Sequence, residues 1–364
     1  MDNLIYWLWL SLIPNISADK KHFMVNLFGS PEGVFRAGNN DLEQIFSAYY
    51  EVSSAVKLLE ALKLRDLSLA KANMQKAARI GVRLISYEME EYPNQLKEIK
   101  DPPLVLFCIG DVSLLKTRCL AIVGTRRAST YGRWAAGEIA KKTASCGLTI
   151  VSGMAEGIDS FAHKGCLACG GKTIAVLGTG ADVCFPNSNT ALYEQIAREG
   201  LIVSEYPLGS PGYPSNFPQR NRIISGLSRD CIVVEGAVKS GSLITAGLAA
   251  EQDRNVFAVP GNINQPGSAG TNLLISEGVP PITSMNSVLN LLNIDFKSAA
   301  ERVNLSPEER RLYNFIIQDG SASREFILAK TDLDASRGSA LLSALEIKGL
   351  IRQEGSRIYA VKQV

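Results

Sequence analysis

Short apolar runs recur between residues 104 and 259, and segments long enough for helices separate several of them. Each run is rich in β-branched residues and is bounded by glycine. Such runs in alternation with helices are typical of a parallel sheet that is buried on both faces. The sequence therefore predicts an α/β core from about residue 100 to residue 290. The predicted strands are Leu104–Ile109, Cys119–Val123, Thr149–Ser152, Thr173–Leu177, Ile202–Ser204, Cys231–Val234 and Val256–Val259.

Residues 1–85 are predicted to form an all-helical domain, because their apolar residues recur at helical spacing. The order of apolar and polar residues around Asn15–Ser17 is typical of a helix-hairpin-helix or SAM-like unit. That type of turn normally carries Gly-x-Gly, so that backbone N–H groups can approach a phosphate, and this turn has neither glycine. We therefore interpret the domain as a packing module without phosphate contact.

The last 59 or so residues have the pattern of a compact DNA-binding fold. Residues 291–305 read as a polar linker, and residues 306–364 read as three helices followed by two short strands. Ser306 is predicted to cap the first helix, with Pro307 at its first position and Glu309 completing a capping box. Three helices and a β-wing predict a winged-helix domain.

Charge and composition limit the function. Lys and Arg total 38 against 36 Asp and Glu, which leaves a formal net charge of only +2. Any surface for a polyanion must therefore be a local basic patch. No run approaches the roughly 20 apolar residues that span a bilayer, and no secretory signal is evident, so we expect a cytoplasmic protein without a membrane segment.

Cysteine and histidine usage argues against covalent or acid–base chemistry. The seven cysteines are odd in number and are interpreted as reduced core residues. Only two histidines, His22 and His163, are available for catalysis near neutral pH. His163, Cys166 and Cys169 share helical spacing, but a structural zinc site needs a fourth ligand. We expect no metal and no cofactor.

The loops that follow the predicted strands carry a candidate polyanion site. In open α/β sheets, ligands bind beyond the carboxyl ends of the strands. One such loop leads into FPQRNRIISG, where Arg220, Asn221 and Arg222 are concentrated. Another, SGSLITAG, opens a helix with Ser240, Gly241 and Ser242, and a helix start offers free N–H groups to an anion.

Two further loops lie where phosphate-binding loops are found in α/β proteins, directly after a predicted strand. Gly124–Arg127 reads Gly-Thr-Arg-Arg after a strand, but it lacks the full G-x-G-x-x-G of a dinucleotide site. Gly153 opens the loop before Asp159, which we interpret as the N-cap of the next helix rather than as half of a carboxylate pair with Glu156. Lys172 ends a stretch that resembles a Walker A motif. In that motif the lysine opens a helix, whereas Lys172 precedes a strand, so we reject ATP hydrolysis.

In order and spacing these motifs resemble the DNA-processing protein A (DprA, or Smf) family. GTR at residue 124, SGMAxGID at residue 152, FPxRNRIISGL at residue 217, SGSLITA at residue 240 and FAVPG at residue 257 carry the resemblance. It covers residues 95–290 and implies an extended Rossmann-like domain there. The flanking segments resemble the family's accessory domains more loosely.

The resemblance implies a homodimeric protein that binds single-stranded DNA without a catalytic step. It implies that the protein protects incoming DNA and loads a RecA-type recombinase during natural transformation and recombination. Glu156 stands where the family often has a basic residue; a carboxylate there repels phosphate, and Arg127 is the candidate to compensate. The expected DNA-binding residues are Gly124, Arg126, Arg127, Gly153, Arg220, Asn221, Arg222, Lys239, Ser240, Gly241 and Ser242, of which Lys239 is added from its charge and place.

Two rival functions stay open at this point. A phosphoribohydrolase-like enzyme would act on nucleotides on a similar sheet, but the helix near Ile244–Gly247 has no catalytic glutamate of that type. A winged-helix regulator would recognise duplex DNA through the tail, where Arg337, Lys348 and other basic residues are interspersed with acidic ones.

Overall fold

The structure is a computed structural model, and it describes residues 2–63, 65–294, 305–319, 321–331, 334–348, 350–355 and 357–360. The chain forms two compact units, Met1–Leu292 and Asn293–Val364. Within the described residues, no helix is both long enough and apolar enough to cross a membrane. The proposed separation of residues 1–85 from residues 95–290 stays a prediction.

Six helices open the first unit, and their apolar faces form one core. That core extends onto the neighbouring sheet, since Leu104, Val105 and Phe107 belong to it. Asn15 turns the chain between the first two helices with a φ of 60°, a conformation that asparagine tolerates. The helices are α1 (Asp2–Leu12), α2 (Ala18–Phe28), α3 (Pro31–Arg36), α4 (Asn39–Tyr49), α5 (Val52–Leu62) and α6 (Ser68–Ile80).

An eight-stranded sheet forms the centre of this unit. Its strands are β1 (Arg83–Ser86), β2 (Val105–Gly110), β3 (Cys119–Gly124), β4 (Thr149–Ser152), β5 (Thr173–Val176), β6 (Leu201–Ser204), β7 (Asp230–Glu235) and β8 (Asn255–Ala258). The helices that accompany them are α7 (Asn94–Lys97), α8 (Thr130–Ser145), α9 (Ile158–Ala168), α10 (Thr190–Glu199), α11 (Asn216–Gly226), α12 (Gly241–Glu251), α13 (Ala269–Ser276) and α14 (Met285–Leu291).

The predicted α/β fold with a large, mostly parallel sheet is confirmed. The strand order is β1-β2-β6-β5-β4-β3-β7-β8, and neighbours from β6 to β8 are parallel. The order reverses at β3, which lies between β4 and β7. Such a switch point places a crevice at the carboxyl edge of the sheet.

The edge of the sheet differs from the sequence prediction in two ways. β1 falls inside the segment that we expected to be wholly helical, and β1 and β2 are antiparallel to their neighbours. β1 has only four residues and buries only its last two, so it carries almost none of the apolar pattern by which a strand is recognised. The central strands β4, β5, β6 and β7 are buried at every position.

The described residues of the second unit form three helices and a small sheet. They are α15 (Pro307–Asp319), β9 (Ser321–Ser323), α16 (Arg324–Thr331), α17 (Ala335–Ile347), β10 (Ile351–Glu354) and β11 (Arg357–Ala360). The predicted capping box is confirmed: Ser306 N–H donates to Glu309 Oε2 at 2.7 Å, and Glu309 N–H donates to Ser306 Oγ at 3.2 Å. The sequence analysis missed β9, which pairs with β11. The predicted linker falls mainly on residues 295–304, outside the described residues.

Candidate nucleic-acid interface

A cleft of about 670 Å³ lies at the carboxyl edge of the sheet, beside the switch point. The loops after β3, β4 and β7 and the first turns of α11 and α12 form its walls. Parallel strands deliver these distant segments to one edge, as the fold class requires. Of the residues predicted from the sequence, those that line the cleft are Gly124, Arg126, Arg127, Arg220, Asn221, Ser240, Gly241 and Ser242.

Arg220 forms the floor of the cleft. Its side chain is buried, and Nη1 donates to the carbonyl of Gly153 at 2.6 Å and to that of Val176. Nε donates to Asn221 Oδ1 at 3.1 Å. Burial lowers the pKa of Arg220 to about 10, which leaves it protonated at neutral pH. The guanidinium is thus a fixed positive charge beneath the cleft.

Asp159 lies next to this floor and has a different role from the one predicted. The N-cap position of α9 belongs to Gly157, and Asp159 is in the first turn. Its Oδ2 accepts from the N–H groups of Gly153 and Ala155 at 3.2 and 3.4 Å, so it holds the loop ahead of the helix. Burial raises the pKa of Asp159, and the charge of Arg220 opposes that shift.

The start of α12 forms the opposite wall. Ser240 is the N-cap, but its side chain makes no capping hydrogen bond; instead its Oγ lies 2.7 Å from Ser242 Oγ. Asn221 Nδ2 donates to the carbonyl of Gly241 at 3.3 Å, which ties this wall to the floor. A Cβ on Gly241 would meet no heavy atom within 4 Å, so the backbone here is open to a ligand. The first N–H groups of an α-helix attract anions.

Exposed arginines and aromatic rings complete the mouth of the cleft. Arg126 and Arg127 are both exposed, and the Arg126 guanidinium lies 5.4 Å from the centre of the Phe217 ring. The Arg220 guanidinium is 5.9 Å from the same ring. Phe185 is 43% exposed and its ring centre lies 5.3 Å from that of Phe217. Positive charge and accessible π-faces therefore line one opening.

Arg222 is not part of the cleft, contrary to the sequence prediction. Nη1 and Nη2 form a two-pronged ion pair with Glu205 at 2.6 and 2.7 Å, and Nε donates to Asp101 Oδ2 at 3.2 Å. Burial lowers the pKa of Arg222, but the two carboxylates outweigh it, so its pKa lies above that of a free arginine. Arg222 is two residues from Arg220 on one helix and therefore points to another side. We reassign it to a structural ion pair.

Three further residues discussed in the sequence analysis do not line the cleft. Gly153 contributes its carbonyl to Arg220 and does not line the cleft. Lys239 is an exposed turn residue just ahead of α12, and it also does not line the cleft. Glu156 is exposed and accepts from Ser188 Oγ at 2.6 Å, which engages its carboxylate with a neighbouring loop.

The structural contribution of Glu235 was not predicted from the sequence. This residue ends β7, is 6% exposed, and its Oε2 accepts from Ser129 N–H at 2.9 Å. Its carbonyl accepts from Thr125 N–H at 2.7 Å. Both bonds fix the Gly-Thr-Arg-Arg loop against the sheet. Phe185 was not predicted either, because a phenylalanine in a loop gives no pattern that points to a site.

The fold and the cleft define an α/β protein with an arginine-lined cleft at the carboxyl edge of its sheet. The sequence pattern of the DNA recombination-mediator protein A family matches residues 83–293, more than half of the chain. The chain therefore belongs to this family, also called DprA or Smf.

Individual relatives agree with this assignment. The chain is 43% identical over 228 residues to Protein Smf of Synechocystis, an alignment that covers 61% of this chain and 57% of that protein. It superposes on the crystal structure of DNA processing protein A from Streptococcus pneumoniae with a TM-score of 0.67 at 36% identity, over 81% of this chain and 99% of that one. A DprA structure from Helicobacter pylori, described as having a unique single-stranded DNA binding mode, gives a TM-score of 0.53 at 34% identity and covers 58% and 96%.

Proposed function

We propose that this protein binds single-stranded DNA in the cleft, protects it, and acts without a chemical step as a mediator of recombination and natural transformation. The observation that carries this proposal is the cleft itself, in which exposed Arg126 and Arg127 stand over the fixed charge of Arg220. Release of counterions from the phosphates would drive binding and make it depend on salt.

A single strand fits this cleft better than a duplex does. Phe185 and Phe217 offer partly exposed rings on which a base can stack, and the bases of a duplex are already stacked on each other. Asn221 beside the floor and the hydroxyls of Ser240 and Ser242 at the start of α12 also line the cleft, where they can bond to a base edge or to a phosphate oxygen.

Hydrogen bonds within the protein support binding without catalysis. The Asp159 carboxylate accepts two backbone N–H groups, and Arg220 donates to two carbonyls. His163 does not line the cleft; it is fully buried on α9, and its Nδ1 lies 2.7 Å from Thr173 Oγ1. Groups held in this way fix the shape of the cleft. The alternative, a phosphoribohydrolase-like enzyme, would release free base from AMP.

The proposal is tested by Arg126→Ala in oligo-dT binding across a salt titration. Arg126 makes no hydrogen bond within the described residues, so we expect the folded state to be unaffected and the affinity to fall. If Arg126 neutralises one phosphate, the slope of log K against log salt should decrease by about 0.7, the value for a single strand.

Arg198→Ala is the matched control. Arg198 is also an exposed arginine, but it lies in the last turn of α10, just ahead of β6 and thus at the opposite edge of the sheet. Its replacement should leave both the affinity and the slope unchanged. Equal affinities for Arg126→Ala and the wild type, or preference of the wild type for duplex over oligo-dT, would contradict the proposal.

The accessory parts of the function rest on family membership and stay proposals. We propose a homodimer that loads a RecA-type recombinase in the cytoplasm, a helical N-terminal domain that packs rather than binds DNA, and a winged-helix domain at residues 306–364. In that tail, Arg337 pairs with Glu308 at 2.9 Å and Lys348 pairs with Glu309 at 2.7 Å. Because these charges are partly neutralised, an accessory role is favoured over duplex recognition.

A further inference from the structure

Two aromatic side chains stand exposed on the first turns of α8. Tyr131 is 50% exposed and Trp134 is 54% exposed, and their ring centres are 6.0 Å apart at an interplanar angle of 33°. They are three residues apart and therefore share one face of the helix. Large exposed aromatic pairs mark interaction surfaces, because burial of such rings is favourable and their exposure is not.

Along the chain, this pair closely follows residues that line the cleft. Arg127 lines the cleft, and Tyr131 follows it by four residues, after the turn in which Ser129 Oγ caps α8 at 3.0 Å. Ser129 and Tyr131 in turn line a second cavity of about 860 Å³. The other side of that cavity is the loop after β8, where Asn262 and Gln265 present exposed amides.

The charged side chains near the pair lie on two sides of α8. Arg133 is two residues from Tyr131 and therefore points to another side of the helix, where its exposed guanidinium lies 5.6 Å from the centre of the Phe161 ring on α9. Lys164 lies 5.4 Å from that ring with its Nζ and is also exposed. Glu138, four residues beyond Trp134 and thus on the face of the pair, is the exposed carboxylate on this stretch of α8.

We infer that Tyr131 and Trp134 form a second base-stacking site, which takes the nucleotides that leave the cleft past Arg127. The inference rests on the proposed function, because it requires a single strand in the cleft. The ligand is single-stranded DNA long enough to reach both places. Stacking is indifferent to base identity, since every base has a π-face, so the site adds affinity and length without adding sequence specificity.

The fluorescence of the full-length protein reports on this site directly. The chain has three tryptophans. Trp7 and Trp9 are buried at 4% and 5% exposure, whereas Trp134 is exposed. A base stacked on Trp134 would quench its emission. We expect an oligo-dT of about 20 nucleotides to quench tryptophan emission and one of about 5 nucleotides, held in the cleft alone, to bind without quenching.

Affinity measurements give an independent readout. Trp134→Ala should bind the long oligo-dT about tenfold more weakly than the wild type does and the short one equally well. Trp134→Phe keeps an aromatic face, so it should lose the quench and retain the dependence of affinity on length. Tyr49→Ala, at a tyrosine 61% exposed on α4, is the matched surface control and should change neither.

The outcomes separate this inference from the function on which it rests. If the wild type binds both oligomers and Arg126→Ala weakens both, but Trp134 emission and the long-strand affinity of Trp134→Ala are unchanged, the stacking site is wrong and the cleft stands. If no oligo-dT binds to the wild type, the proposed function itself is wrong. A change in oligomeric state of Trp134→Ala in light scattering, with DNA affinity unchanged at both lengths, would assign the pair to a contact between copies and overturn the inference.

Discussion

Gly153 carries no side chain at the point where the buried Arg220 guanidinium passes the backbone. A Cβ at this position would lie 2.7 Å from Cζ and from both Nη atoms of Arg220. That is closer than non-bonded atoms approach, so a side chain at residue 153 must displace the guanidinium from its carbonyl partners. The glycine that the family motif places at residue 153 is therefore required in this chain for steric reasons.

Gly153→Ala should reduce both stability and DNA binding. Overpacking of this kind costs about 1–3 kcal/mol, which urea unfolding would measure. The affinity for oligo-dT should fall in parallel, because the charge on the cleft floor moves. Native stability together with native affinity would show that Arg220 is not fixed by Gly153.

Gly241→Ala provides the opposite case in the same cleft. No heavy atom lies within 4 Å of a Cβ built there, so the free energy of unfolding should stay within about 0.5 kcal/mol of the wild type. A methyl group at the start of α12 would nevertheless obstruct a phosphate that approaches the helix N–H groups. We expect weaker oligo-dT binding by a fully folded protein. Unchanged affinity would show that the strand does not reach α12.

Eight of the residues that line the cleft were predicted from the sequence, but Arg220 could not be separated from Arg222 in this way. Both belong to one motif, and both carry the charge that a polyanion needs. Their separation depends on Asp101 and Glu205, which are 121 and 17 residues away from Arg222 in the chain. No local pattern reveals a partner at such a distance.

At the scale of elements, Asp101 joins the N-terminal helices to the helix that carries the cleft floor. Its Oδ1 accepts from Asp19 N–H in the first turn of α2 at 2.9 Å, and its Oδ2 accepts from Arg222 Nε at 3.2 Å. Gln252 adds a third element, since its Nε2 donates to the carbonyl of Arg222 at 3.2 Å. The orientation of α11 thus depends on contacts made outside the cleft.

Arg222→Met should destabilise the fold without removing a DNA contact. The side chains of Arg222 and Glu205 are 11% and 18% exposed, and loss of one partner leaves the other carboxylate poorly solvated. Breaking a buried pair in this way costs about 3–5 kcal/mol, and the partial exposure places the expected loss at the lower end. Urea unfolding measures the loss, and the salt slope of oligo-dT binding should stay unchanged. Arg36→Met, in an exposed pair with Glu32, is the control and should cost little.

The elements themselves were predictable where their pattern was strong. The seven expected strands of the core all occur, with no boundary shifted by more than one residue, because buried parallel strands are continuous apolar runs. β1 and β9 were missed, and both are short strands on the edges of their sheets. Edge strands depend on pairing with a neighbour more than on burial, so their own residues show little of the apolar pattern that predicts a strand.

At the scale of the whole molecule, buried thiols link stability to pH. All seven cysteines were expected in the core; four of them are buried, Cys108, Cys119, Cys166 and Cys231, whereas Cys146, Cys169 and Cys184 are half-buried. Burial raises the pKa of each of these thiols from 9.0 to about 12. Between these values the unfolded chain has lost protons that the folded chain still holds, so the free energy of unfolding must fall as pH rises.

Lys21 acts in the opposite direction. Its Nζ is buried and donates to the carbonyls of Ser11 and Ile13 at 2.8 and 2.7 Å, and burial lowers its pKa from 10.5 to about 8. Between those values the unfolded chain holds the extra proton, so this residue alone would make stability rise with pH. One lysine opposes four thiols. The stabilisation from Lys21 stops increasing at about pH 10.5, where the destabilisation from the thiols is still growing.

Of these groups only Lys21 titrates between about pH 8 and pH 9, so we expect stability to rise slightly there and to fall from about pH 9 towards pH 12, as measured by urea unfolding at a series of pH values under reducing conditions. Cys231→Ala removes one thiol from β7, a strand that is buried at every position, and Cys146→Ala, at a half-buried cysteine just beyond α8, is the matched control. The first variant should lose stability at pH 8 but show a shallower decline above pH 9, since one fewer proton is released on unfolding. The control should lose less stability at pH 8, because Cys146 is only half-buried. Parallel pH profiles for the wild type and Cys231→Ala would show that this thiol ionises as readily in the folded sheet as in the unfolded chain, which its complete burial makes physically unfavourable.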